Sequence, residues 1–135
     1  MSAKSTPLAH PVTEPGVVFT KGWVVDFVLD IAGYTIDRDL LSGCVVEPSC
    51  GDGAFLGRVV SRLCERAMGV GALSAERLAF CIRAYDVDNA SVLASRTTVR
   101  RVLESFGMSP TDSERLAGIW VLQGDFLLSE VPSAR

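Results

Sequence analysis

The 135-residue sequence predicts an α/β domain built on a parallel sheet. Two observations carry that expectation. Short apolar runs alternate with longer stretches of helical apolar spacing, and each run stops at an acidic or glycine-containing turn. Parallel strands need a crossover between them, and a helix that packs back on the sheet supplies a right-handed one. The expected order is α-β-α-β-α-(α)-β, a Rossmann-like arrangement.

The elements follow in order. Trp23, Val24, Phe27, Val28 and Ile31 recur at helical spacing, with Thr20 placed to cap the start and Gly33 to stop the helix. Cys44-Val45-Val46 is a short buried strand that ends at Glu47-Pro48, because Pro48 cannot continue a ladder. After the Gly-rich loop, Phe55, Leu56, Val59, Val60, Leu63, Cys64 and Ala67 mark about four helical turns. A second apolar run from Leu78 to Tyr85, broken by Arg83, ends in Asp86-Val87-Asp88. Helical spacing returns from Val92 to Phe106 and stops at Gly107. Ser109-Pro110 opens a short extra helix, since proline suits the first helical position. Ile119 to Leu122 is the third strand and leads into Gly124-Asp125-Phe126.

Composition narrows the function classes. Hydrophobic residues make up 48% and charged residues 21%, which excludes wholesale disorder. A formal net charge of −3 is too small to attract nucleic acid or a membrane surface by bulk electrostatics. No apolar run approaches the roughly 18–20 residues of a membrane span. Residues 1–16 carry three prolines and no apolar core of a secretory signal, so they are expected to form a flexible leader, with a cytoplasmic location. Cys44, Cys50, Cys64 and Cys81 form no C-x-x-C pair, and the single histidine, His10, lies in the leader. Neither zinc ligation nor a histidine triad is expected, and the cysteines read as reduced, small hydrophobes.

The polar residues that matter converge on one edge. Glu47, the glycine loop, Asp86 and Asp125 all fall at the carboxyl ends of consecutive strands, where open α/β sheets bind ligands. Gly51 and Gly53 allow a tight turn and a close backbone approach, either as a plain strand-to-helix connection or as a ligand cradle. A nicotinamide site is disfavoured. The glycines at 51, 53 and 57 miss the G-x-G-x-x-G spacing, and the acidic strand end comes 35 positions after Gly51 rather than about 20. Asp86 is placed to accept ribose hydroxyls or to cap the next helix, and Asp88, nearer the helical run, is the better cap.

Taken together, the strings resemble a known family. Val45-Val46-Glu47-Pro48-Ser49-Cys50-Gly51-Asp52-Gly53-Ala54-Phe55-Leu56 is similar to motif I of the N6-adenine DNA methyltransferases of restriction–modification systems, E-P-[AS]-C-G-x-G-x-F-L. Gly16 to Thr20 resembles motif X, without the proline usual after the threonine. Ala84 to Asp88 resembles motif II, and Gln123 to Leu128 resembles motif III. The resemblance implies a class I methyltransferase fold over residues 17–135 and S-adenosylmethionine as cofactor. It implies that Thr20, Glu47 and Ser49 hold the methionine end and that Gly51 and Gly53 permit close approach. Asp86 would take the ribose hydroxyls and Val87 would pack on an adenine face. Asp125 would accept from the adenine amino group, and the Phe126 backbone would meet the ring edge.

The family's chemistry also requires [NDS]-P-P-[YFW], whose first side chain and proline carbonyl align the target amine while the aromatic stacks on the flipped base. None of the six prolines here are adjacent, and nothing in the chain resembles a target-recognition module. The expectation is therefore a cofactor-binding, N-terminal half with about three strands, inactive alone. Its DNA contact would come through a C-terminal part, and its partners would be the remainder of the methyltransferase or a restriction subunit. A fragment of a protein or small-molecule methyltransferase, or a non-catalytic binding module, stays open.

Overall fold

The computed structural model describes residues 21–128, so the expected leader over 1–16, Thr20 and the rest of the motif X string lie outside the described residues. The elements are α1 (Gly22–Ile31), β1 (Val45–Glu47), α2 (Ala54–Gly69), α3 (Ala75–Leu78), β2 (Ile82–Asp86), α4 (Asn89–Ser105), α5 (Pro110–Trp120) and β3 (Val121–Gln123), followed by a 3-10 turn at Phe126–Leu128. The strands are all parallel in the order β1-β2-β3, with Val45 opposite Ile82 and Ala84 opposite Val121. This is the α/β, Rossmann-like arrangement that the alternation predicts.

The helices supply most of the core. Leu56, Val59, Val60, Leu63, Cys64 and Ala67 put α2's apolar stripe wholly out of solvent, as their spacing requires. Val92, Val99 and Leu103 of α4, and Leu116 and Trp120 of α5, join them against Ile82 and Ala84 of β2. Each fully buried Val, Leu or Ile among them stabilises the fold by about 1.5–3 kcal/mol. Caps set the helix starts: Asp88 accepts from the Ser91 N–H, and Ser109 accepts from the Asp112 N–H with Pro110 at the first position.

Three elements depart from the sequence reading. Leu78 belongs to the helical turn α3, capped by Ser74, and β2 starts only at Ile82. The extra helix α5 runs for 11 residues and takes in Ile119 and Trp120. The reason is the indole, which is fully buried and donates its N–H at 3.2 Å to both the Leu78 and the Ala79 carbonyl. On α1, which starts after Lys21 with no side-chain cap, Val25 and Leu29 are the buried residues, whereas Trp23, Phe27 and Ile31 are 69%, 58% and 71% exposed.

With so narrow an apolar contact, α1 depends on polar bonds to α2. The Arg62 guanidinium donates to Asp30 Oδ1 at 2.6 Å, to the Tyr34 carbonyl at 3.0 Å and to the Asp26 carbonyl at 3.2 Å, with Asp26 Oδ1 at 3.5 Å. These are charge-assisted bonds from a side chain only 17% exposed. Arg62→Ala should therefore loosen α1 before the rest. Its amides (22–31) are expected to exchange hydrogen about tenfold faster or more, with β2 amides little changed. Equal acceleration in both elements would count against this.

Candidate cofactor-binding edge

The site is built where β1 stops. Pro48 ends the strand, and the chain turns through a loop whose amide groups are tied down one by one. The Cys50 N–H donates to the Tyr85 carbonyl and the Gly53 N–H to the Cys50 carbonyl, both at 2.9 Å. The Gly51 N–H donates to Asp86 Oδ2 at 2.9 Å. Gly51 and Gly53 both take positive φ, +55° and +84°, which side-chain-bearing residues rarely adopt.

The two glycines do different work. A Cβ at Gly51 would meet nothing within 4 Å among the described residues, so this side of the loop leaves room for a ligand. A Cβ at Gly53 would lie 2.9 Å from Ser95 Cα and 3.2 Å from Ser95 Oγ and Thr98 Cβ. Gly53 is thus also required for close packing of the loop on α4, and Gly57 repeats this at 3.0 Å from Thr98 Cγ2.

Asp86 is buried at the end of β2. Its Oδ2 accepts from Gly51 and its Oδ1 accepts from the Asp88 N–H, also at 2.9 Å. An ionised carboxylate offers about four acceptor directions, so two remain for further donors. Asp88 has the capping role, its Oδ2 accepting from both the N–H and the hydroxyl of Ser91. Between them Val87 is 69% exposed, an apolar side chain presented to solvent beside the carboxylate.

β3 closes the far side. The Gly124 N–H donates to the Asp86 carbonyl at 2.9 Å, and Gln123 Nε2 donates to the Val87 carbonyl at 3.3 Å. The exposed Asp125 starts the 3-10 turn, its Oδ1 accepting from the Leu127 N–H at 2.9 Å. The Phe126 ring leans on Tyr85 with centroids 5.7 Å apart and planes at 54°. On β1's side, Glu47 Oε1 accepts from the Ser49 N–H at 3.2 Å. Burial pushes the Glu47 carboxyl above its ordinary range, against the Ser49 bond, which pulls the other way. Burial likewise raises the Cys50 thiol, against the Ser95 hydroxyl.

Glu47, Ser49, Gly51, Gly53, Asp86, Val87, Asp125 and Phe126 therefore lie along one edge of the sheet, on the ends of three neighbouring strands and the loop and turns that follow them. Open space at Gly51, spare acceptor capacity on Asp86 and an exposed apolar Val87 suit a nucleoside-bearing cofactor. Two residues that touch the loop, Ser95 and Thr98, escaped the sequence reading. Their signal is a pair of polar residues three apart interrupting the apolar spacing of α4 between Val92 and Val99. Among the described residues no cluster of His, Cys, Asp or Glu is arranged to hold a metal ion.

Three known proteins are similar to most of the chain. The Type II methyltransferase M.XhoI of Xanthomonas vasicola is 35% identical over 122 residues, covering 88% of this chain and 22% of that protein. M.BstVI of Geobacillus stearothermophilus is 36% identical over the same length and shares. M.PaeR7I of Pseudomonas aeruginosa is 37% identical over 116 residues, 84% of this chain and 20% of its own. These matches support a fragment of a restriction–modification methyltransferase. The chain spans about a fifth of the length of these relatives. No protein-family model and no solved structure matches it.

The chain's cysteines are free thiols, with Cys50, Cys64 and Cys81 buried and Cys44 exposed. Burial pushes Cys64 up to about 12 and Cys81 up to about 11, which keeps both protonated. No described helix is long and apolar enough to cross a membrane.

The raised Glu47 carboxyl has a consequence for stability. The folded chain holds that proton more tightly than the unfolded chain does. Its contribution to stability is full below the ordinary carboxylate range and is lost as pH rises through the raised folded value. Glu47→Gln, which keeps an oxygen for the Ser49 N–H, should melt higher than the wild type at pH 7 and alike at pH 4. Thermal melts at both pH values check this, and a lower melting temperature for Glu47→Gln at pH 7 would contradict it.

Proposed function

We propose that this chain is the S-adenosylmethionine-binding part of a DNA adenine-N6 methyltransferase of the restriction–modification type. The observation that carries the reading is the Asp86 carboxylate. It is buried at the strand end, fixed by two backbone N–H groups, and retains acceptor capacity beside the open face of Gly51. A pair of vicinal ribose hydroxyls is the ligand group that such a carboxylate accepts well. In this reading Glu47 and Ser49 orient the methionine end, with Thr20. Gly51 and Gly53 let the backbone approach, Val87 packs on the adenine, and Asp125 and the Phe126 backbone meet its edge. S-adenosylmethionine supplies the methyl group of the reaction.

The adenine-N6 assignment rests on the E-P-S-C-G-D-G-A-F-L string at 47–56, and DNA is proposed as the substrate on the same ground. The domain is taken as 17–135, with 1–16 as a leader. The remainder of a methyltransferase, or a restriction subunit, is the proposed protein partner, and the cytoplasm the proposed location.

Calorimetry with S-adenosylhomocysteine tests the cofactor reading. Asp86→Asn keeps the shape and one of the two acceptor oxygens, loses the charge and sets an NH2 against one of the two backbone N–H donors. It should weaken binding by about 1.5–3 kcal/mol, the range for a hydrogen bond to a charged group. Asp88→Ala should lower stability by about 1 kcal/mol through the lost cap and leave affinity little changed. The reverse ranking, or tight binding of NAD, would overturn the assignment.

A further inference from the structure

We propose that Ser95, which lies outside the loop on α4, is a positioning residue for the cofactor. It turns the peptide between Gly51 and Asp52 so that the Asp52 N–H is the donor the loop offers to its ligand. This rests on the cofactor reading above.

The loop's donors can be taken in turn. Ser49 donates to Glu47 Oε1, Cys50 to the Tyr85 carbonyl, Gly51 to Asp86 Oδ2, Gly53 to the Cys50 carbonyl and Ala54 to Asp52 Oδ1. Pro48 has no N–H. The Asp52 N–H alone in this stretch makes no hydrogen bond among the described residues, and Asp52 is exposed. Within residues 49–54 the other backbone donors are satisfied internally, and the Asp52 N–H is the one left for a ligand acceptor.

Ser95 fixes the direction of that donor. Its hydroxyl, wholly removed from solvent, donates to the Gly51 carbonyl at 2.9 Å. In a planar trans peptide the C=O and the following N–H point in opposite directions. Drawing the Gly51 carbonyl toward α4 therefore sends the Asp52 N–H away from α4. Thr98 Oγ1 lies 3.2 Å from the next carbonyl, that of Asp52, and equally far from the Ala94 carbonyl of its own helix, so its one proton is shared between loop and helix.

The residue type is informative too. A helical serine or threonine commonly bonds back to its own helix four residues earlier, as Thr97 does to the Leu93 carbonyl at 3.0 Å. Ser95 instead reaches 44 positions along the chain. On a helix face otherwise lined by Val92, Val99 and Leu103, a buried hydroxyl is costly unless it has a partner, and its partner is the loop. The ligand group that suits the Asp52 N–H is an oxygen acceptor of the cofactor, the methionine carboxylate or a ribose hydroxyl.

The test compares the full 135-residue chain with Ser95→Ala and with Ser113→Ala. The latter makes the same change at a buried serine of α5 whose hydroxyl has no hydrogen-bond partner among the described residues. Calorimetry with S-adenosylhomocysteine should show Ser95→Ala weakened about tenfold and Ser113→Ala within about twofold of wild type. Residual dipolar couplings of the ligand-free chains should show the Asp52 N–H vector reoriented in Ser95→Ala and unmoved in Ser113→Ala, with α2 and α4 couplings unchanged. Binding of 5′-methylthioadenosine, which lacks the amino-acid end, identifies the acceptor. Unchanged affinity in Ser95→Ala assigns the carboxylate, and a parallel loss assigns the ribose. If Ser95→Ala fails to fold, Ser95→Cys, which keeps a side chain of similar shape with only a weak donor, carries the same expectations. An unmoved Asp52 vector, or wild-type affinity in a folded Ser95 variant, overturns the proposal. A wild-type chain that binds no S-adenosylhomocysteine overturns the cofactor reading, and the dipolar couplings then decide alone whether Ser95 orients the peptide.

Discussion

The structure of this sheet edge depends on one carboxylate. Asp86 ends β2, and its two oxygens reach in different directions. One accepts from Gly51 in the loop that follows β1, and the other from Asp88, which caps α4. Its own carbonyl accepts from Gly124 beyond β3. Three connections that are far apart in sequence are thereby joined at a single residue. An acidic residue suits the position, because a carboxylate accepts from several donors at once and its bonds to N–H groups are charge-assisted.

α4 provides the second constraint. Its buried face is apolar except at Ser95, and there the loop comes so near that Gly53 has no room for a Cβ, while a Cβ at Gly57 of α2 would press on Thr98 Cγ2. Close approach brings the Ser95 and Thr98 hydroxyls within reach of the loop carbonyls at Gly51 and Asp52. The glycines and the hydroxyls are two halves of one arrangement. Without the glycines the helix stands off, and without the hydroxyls the carbonyls it covers lose their donors.

Much of this was legible in the sequence. The helix–strand alternation gives the parallel sheet, and Glu47, Asp86 and Asp125 fall at strand ends as the spacing indicates, with Asp88 as the cap. The misplaced boundaries have a common physical origin. Leu78, Ile119 and Trp120 are apolar enough to read as strand, yet local caps and the indole's long-range hydrogen bonds place them in helices. On α1, helical spacing at Trp23, Phe27 and Ile31 marks an apolar stripe but says nothing about which stripe meets α2. Val25, Leu29 and the Arg62 bonds decide that. Ser95 was illegible for a similar reason, since its partner lies 44 positions away.

The strands themselves contribute little to the precision of this edge. β1 and β3 are three residues each and β2 is five, so the ladders hold only the centre of the sheet. Beyond it, geometry is fixed by side chains bonded to distant backbone. Arg96 donates to the Val121 carbonyl at 2.8 and 3.1 Å, Gln123 to Val87, Ser95 to Gly51 and Thr98 to Asp52. Three of these four donors lie on α4. The order of the loop is therefore coupled to the docking of that helix on α2 and the sheet. A helix 17 residues long, capped at its start and buried along one face, is a stiffer reference than a three-residue strand. The loop thus takes its shape from the helix layer behind it, and no described residue crowds Gly51.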